Sequence, residues 1–123
     1  MAKVRASILV AKDWRERAFI RAELIEEGIR TLAVEDMDEA EKWLKDPEIV
    51  PMIIVYDTKY QKNVRDDINR LLKYSSSVPV LIIAGASENK ALGKDLGGLY
   101  MVSRPITIGE IVKRVKGILR KGI

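Results

Sequence analysis

Five apolar runs of strand length punctuate this chain, and three of them do not alternate with polar residues. The runs are Ser7 to Ala11, Thr31 to Val34, Met52 to Tyr56, Val80 to Ala84, and Leu99 to Val102. The first, third and fourth are near-continuous, as suits parallel strands buried on both faces. The second and fifth are weaker, as edge or near-edge strands are. Parallel neighbours need a crossover of a dozen or so residues, and each gap between the runs carries a helical period.

The helical segments have recognisable starts and stops. Asp13 with Glu16 has the spacing of a capping box, in which the first side chain caps and the second reaches back. Ala18, Ala22, Ile25 and Ile29 then fall on one expected buried face, and Gly28 supplies a left-handed stop. Asp38 with Glu41 predicts the start of a second helix, with Ala40, Trp43 and Leu44 inward and Pro47 as terminator. Asn63 with Asp66 predicts a third, carrying Val64, Ile68, Leu71 and Leu72. Ser87 is the expected cap of a short fourth helix containing Ala91 and Leu92, broken by Gly93 and closed by Gly97 and Gly98. Thr107 with Glu110 opens the last, with Ile111, Val115, Ile118 and Leu119 as its buried stripe.

Residues 1–123 therefore read as one α/β domain, a (βα)5 unit with right-handed crossovers and helices on both sheet faces. A ligand site in such a sheet lies beyond the carboxyl ends of its strands. That singles out Lys12 and Asp13, Glu35 and Asp36, Asp57 and Thr58, Gly85 to Ser87, and Ser103 to Pro105.

Composition removes several chemistries. The chain has no cysteine and no histidine, which excludes thiolate metal sites, disulfides, and serine- or cysteine-based triads that rely on imidazole. The turn after the first run, Ala11-Lys12-Asp13-Trp14, has no glycine to cradle a phosphate. Gly93-Lys94 is followed by Asp95 instead of Ser or Thr, and Glu88 stands at the leading glycine position of a Walker motif. No run reaches the roughly 18 apolar residues of a membrane span, and no signal peptide is visible, so a soluble cytoplasmic protein is expected. The net charge is +4, and five basic residues crowd the end: Lys113, Arg114, Lys116, Arg120 and Lys121. They read either as a solvated helix end complementing the dipole or as a patch for nucleic acid or an acidic partner.

Four segments carry a family resemblance: Ile8 to Asp13, Ile53 to Asp57, Val78 to Ala84, and Tyr100 to Pro105. On these the chain resembles the CheY-like receiver domains of two-component response regulators along nearly all its length. The resemblance implies a flavodoxin-like, doubly wound parallel sheet of order 2-1-3-4-5. It implies no enzymatic activity beyond a signalling role in a phosphorelay. Asp57 falls at the family's phosphoacceptor position, Lys12 and Asp13 at its acidic pair, Ala84 and Met101 at its switch positions, and Arg104 at its conserved lysine, followed by Pro105. Asp13 and Asp57 are the carboxylates that would hold Mg²⁺ where a metal site survives.

Several of those positions depart from the family pattern. Lys12 puts an ammonium where a carboxylate is expected, and Ala84 lacks the hydroxyl that would bind a phosphoryl oxygen. Met101 replaces an aromatic, and Tyr100 is one position off, on the opposite face of a strand. Arg104 keeps the lysine's charge but is a planar fork. The stretch Thr58 to Asn63 lacks the family's proline and glycine. The reading favoured by these departures is a pseudo-receiver, with Lys12 and Arg104 flanking Asp57, lowering its pKa and doing the work of Mg²⁺. Its partner would be a signalling protein or histidine kinase, with a homodimer expected through the fourth helical segment, fifth strand and last helix. Two alternatives stay open: a working Mg²⁺-dependent phosphoacceptor using Asp57, and a nucleic-acid-binding module using the basic last helix.

Overall fold

The computed structural model describes residues 3–85 and 99–121. Strands β1 (Val4–Val10), β2 (Thr31–Val34), β3 (Ile49–Asp57), β4 (Val80–Ala84) and β5 (Leu99–Ser103) alternate with helices α1 (Trp14–Glu26), α2 (Met37–Leu44) and α3 (Val64–Tyr74). The C-terminal helix α4 (Ile108–Lys121) follows β5. All pairings are parallel and the strand order is β2-β1-β3-β4-β5, as the resemblance implies. The expected helix from Ser87 to Gly98 lies outside the described residues.

Period-two alternation divides the strands between two cores. Ile8, Val10, Ile54, Tyr56, Val80, Ile82 and Ala84 pack with Met37 and Ala40 of α2 and with Ile68 and Leu71 of α3. On the other face, Leu9, Ala11, Ile53, Val55, Leu81 and Ile83 meet Ile20 and Leu24 of α1 and Ile111, Val112, Val115 and Ile118 of α4. This double burial is why the central runs are unbroken in the sequence. The register between β1 and β3 slips at Ala6/Ser7, beside Pro51, before β4 joins β3 at Ile54. Proline has no N–H for the ladder, so a slip at this strand end costs little.

The helix ends depart from the sequence expectations in instructive ways. Asp13 does cap α1, accepting from the N–H groups of Arg15 and Glu16, but the Glu16 side chain turns toward Lys59 and Arg104 instead of completing a capping box. At the other end, Gly28 at φ 80° stops the helix, with Ile29 N–H donating to Leu24 C=O and Gly28 N–H to Ile25 C=O, the paired bonds of a Schellman turn. Helix α2 is capped two residues earlier than Asp38, by Asp36, whose carboxylate accepts from Glu39 N–H at 3.0 Å. The earlier start carries Met37 into the core, while Trp43 stays partly exposed. Asn63 precedes α3 without a side-chain cap bond.

The buried face of α1 is the clearest correction. Of the expected face, Ala18, Ala22 and Ile25 are exposed and only Ile29, just past the helix, is buried, while Ile20 and Leu24 go inward. Apolar residues occur on both sides of this helix, so periodicity alone does not choose its rotation. Two arginines four residues apart fix it: Arg17 donates to Ala11 C=O at 2.7 Å, and Arg21 to Thr31 C=O at 3.1 Å. With those carbonyls satisfied at the sheet, the bulkier Ile20 and Leu24 fill the core.

Candidate functional site

The carboxyl ends of β1, β3 and β5 bring three carboxylates and two cations into one chain of ion pairs. Asp57, the last residue of β3, is 1% exposed. One of its oxygens accepts from the Lys59 backbone N–H at 3.0 Å, and the other is bound by the Arg104 guanidinium. Arg104 is set just beyond β5, its own N–H donating to Ala84 C=O at 2.8 Å, and its peptide bond to Pro105 is cis. The same Nη2 reaches Glu16 Oε1 at 2.7 Å. The other Glu16 oxygen meets Lys59 Nζ at 3.3 Å, and that ammonium also meets Asp13 Oδ2 at 3.3 Å. The order Asp57, Arg104, Glu16, Lys59, Asp13 thus alternates in sign from the buried end of β3 to the cap of α1.

The electrostatics follow from unequal burial. Burial pushes the Asp57 carboxyl above the ordinary carboxylate range, against the pull of the Lys59 N–H and the Arg104 charge. This corrects the expectation of a lowered pKa: desolvation of a nearly inaccessible carboxylate outweighs a guanidinium that it shares with Glu16. Asp13 is only partly buried and is held below its usual range, first by the Glu16 N–H that it caps and also by Lys59. The Lys59 ammonium is held above its usual range by its bonds to Asp13 and Glu16.

Lys12 is elsewhere. It lines a separate polar cavity of about 300 Å³ with Asp36, Asp38, Gln61, Asp66 and Arg70. No hydrogen bond or ion pair joins it to Asp57 among the described residues. The second cation near the site is Lys59, which sequence reasoning missed, together with Glu16. The available signals were a lysine two residues past Asp57 and a second acid in the first turn of α1. Ala84 is fully buried at the end of β4, and Met101 packs on the α2/α3 side of the sheet while Tyr100 faces the α4 side. The Lys121 ammonium lies 5.9 Å from the centre of the Tyr100 ring, and Lys116 pairs with Glu27 at 3.0 Å, so part of the basic cluster is engaged within the domain.

The family that the sequence resembles can bind Mg²⁺ at an acidic pocket, and here the donor set does not suit it. Mg²⁺ needs near-octahedral anionic oxygens at about 2.0–2.1 Å, but an ammonium occupies Asp13 and a guanidinium occupies Asp57. A different acidic group, Glu35, Asp36 and Glu39, gathers near the start of α2, where Asp36 already serves as the helix cap.

No family profile matches the chain. It is 28% identical over 116 residues to the transcriptional regulatory protein CpxR of Klebsiella pneumoniae, covering 93% of this chain and 49% of that protein. The same figures hold for CpxR of Escherichia coli. The chain therefore spans about half the length of these curated relatives. Among solved structures, the receiver domain of Francisella response regulator 1452 superposes with a TM-score of 0.76 at 24% identity, covering 97% of this chain and 98% of that one. The non-phosphorylated HemR receiver domain of Leptospira biflexa gives 0.72 at 23% identity, covering 95% and 94%. Among the described residues, no helix is long and apolar enough to cross a membrane. A sequence similarity to response regulators running along 93% of the chain, on a parallel sheet wound 2-1-3-4-5, gives this chain the flavodoxin-like fold of CheY-like receiver domains.

Proposed function

We propose that this receiver serves phosphorelay signalling as a pseudo-receiver, a protein-interaction module held in one state by its own cations. The observation that carries this reading is the placement of Lys59 between Asp13 and Glu16 at 3.3 Å from each, with Arg104 bound to Asp57. In this reading Lys59 and Arg104 supply the positive charge that a metal would bring, and Lys12 has no part in it. Asp57 occupies the phosphoacceptor position, yet its carboxylate is engaged and nearly inaccessible, so it is a poor nucleophile. Ala84 offers no hydroxyl to hold a phosphoryl oxygen. The partner would be a signalling protein or a histidine kinase. The homodimer face expected from the fourth helical segment involves residues outside those described; its described part, β5 and α4, presents a groove of about 330 Å³ edged by Tyr100, Lys113, Arg114 and Lys121.

The test is intact-mass measurement after incubation with acetyl phosphate, with and without Mg²⁺, beside an Asp57→Asn control. No added phosphoryl group is expected. A Mg²⁺-dependent gain of one phosphoryl group that disappears in the control would overturn the proposal in favour of a working phosphoacceptor.

A further inference from the structure

The outer face of α1 is apolar at its centre and oppositely charged at its two ends. Trp14 is 64% exposed, Phe19 61% and Ile25 44%, with Ala18 and Ala22 also exposed between them. At about 100° per residue, Trp14, Ala18, Ala22 and Ile25 form one stripe, with Phe19 at its margin. Arg15 flanks the stripe in the first turn and Glu26 in the last, both exposed. Neither side chain has an ion pair among the described residues, and the Arg15 guanidinium lies 5.3 Å from the centre of the Trp14 ring. Of the other charges, Arg17 and Arg21 bond sheet carbonyls, Glu16 pairs with Arg104 and Lys59, and Glu27 at the C-cap pairs with Lys116, while Glu23 lies off the stripe, toward the groove beside α4.

The sign of these two flanking charges runs against the helix. A cation near the N-terminus and an anion near the C-terminus both oppose the macrodipole, and the last turn of α1 has no basic residue to offset Glu26. Reversing the direction of a second helix removes the conflict. In an antiparallel pair related by a two-fold axis near the middle of α1, Arg15 of each copy faces Glu26 of the other. Trp14 then covers Ile25, and Ala18 lies against Ala22, where small side chains let the helix axes approach closely. The surface is thus complementary to itself in shape and in charge.

We propose that α1 is a self-association surface on which a second copy of this chain docks antiparallel. The inference rests on the outer face of α1 and is independent of whether Asp57 accepts a phosphoryl group. A 13-residue helix is about 20 Å long, and one such face buries less than the roughly 1,200 Å² of a standard stable interface. The dimer is therefore expected to be weak and concentration-dependent, dissociating at roughly micromolar to sub-millimolar protein.

Sedimentation velocity of the chain over a concentration series tests this, with three α1 variants. Ala18→Arg is expected to abolish the dimer, because it places bulk and like charge at the helix crossing while keeping a good helix former at an exposed site. Arg15→Glu alone is expected to weaken association by about tenfold, by replacing two attractive cross-pairs with repulsive ones. Adding Glu26→Arg to Arg15→Glu is expected to restore it, which a loss of folding could not do. Circular dichroism melts confirm that each variant is folded. A chain that stays monomeric throughout the series overturns the proposal and leaves the stripe to a partner of different sequence. A dimer that ignores Ala18→Arg overturns it in favour of another face.

Discussion

At the scale of single residues, the site is governed by a difference in burial between two carboxylates joined through one ion-pair chain. Asp57 is desolvated and has its pKa raised, while Asp13 is only partly buried and has its pKa lowered, first by the Glu16 N–H that it caps. The two therefore link folding to pH with opposite signs. A raised folded pKa means that the Asp57 contribution is fully present below the ordinary carboxylate pKa and is lost as pH rises through the raised value. A lowered one means that the Asp13 contribution is present above the ordinary pKa and is lost as pH falls. Asp57→Asn removes the first effect and leaves the second. The stability of the natural chain relative to this variant is thus expected to fall from about pH 4 upward and to level off once Asp57 is ionised in the fold. Paired thermal melts across pH measure the difference. A gap that widens in favour of the natural chain as pH rises would mean that Arg104 outweighs burial.

At the scale of elements, α1 shows what sequence pattern can and cannot decide. Its existence, its Asp13 cap and its Gly28 stop are all legible, because each depends on local backbone chemistry. Its rotation is not, because Ala18, Ala22 and Ile25 make as good a stripe as Ile20 and Leu24. The choice is made by Arg17 and Arg21 finding sheet carbonyls, a contact that only the assembled fold supplies. Helix α2 misleads for a similar reason: Asp38 and Glu41 resemble a cap pair, but Asp38 Oδ1 meets Arg70 Nη2 of α3 at 2.9 Å and Glu41 also pairs with Arg70. The site repeats the pattern. Asp57 and Arg104 are legible from their positions at strand ends, whereas Lys59 reaches Asp13 across 46 residues of sequence and Glu16 across 43. The rotation of α1 predicts sharply different costs for neighbouring positions. Leu24→Ala is expected to lose about 2–5 kcal/mol through cavity formation, and Ile25→Ala less than about 0.5 kcal/mol. Urea unfolding at low protein concentration, where self-association is minimal, measures both. Comparable losses would place Ile25 in the core after all.

At the scale of the whole molecule, a cation built into the site and a cation taken from solution have different thermodynamic signatures. A metal that binds only the folded chain adds RT ln(1 + [L]/Kd) to stability, about 1.4 kcal/mol at ten times Kd. For a domain of 123 residues that corresponds to a rise in Tm of about 4–8 °C. The Lys59 ammonium is covalently part of the chain, so its contribution is present at every Mg²⁺ concentration and the natural protein should not respond. Its Tm is expected to move by less than about 1 °C at roughly 10 mM Mg²⁺. Lys59→Ala exposes the Asp13 and Glu16 carboxylates that the ammonium now bridges. That variant should melt lower without metal, because two acids then face each other with only Arg104 nearby. It should also regain part of the loss as Mg²⁺ is added, whereas Na⁺ at matched ionic strength should restore less, since screening alone does not coordinate oxygen. Differential scanning calorimetry of both proteins across Mg²⁺ and Na⁺ series reads these outcomes directly. A natural chain that rises with Mg²⁺ as steeply as the variant would mean that Lys59 leaves the site readily, and that the domain still exchanges its own cation for a metal.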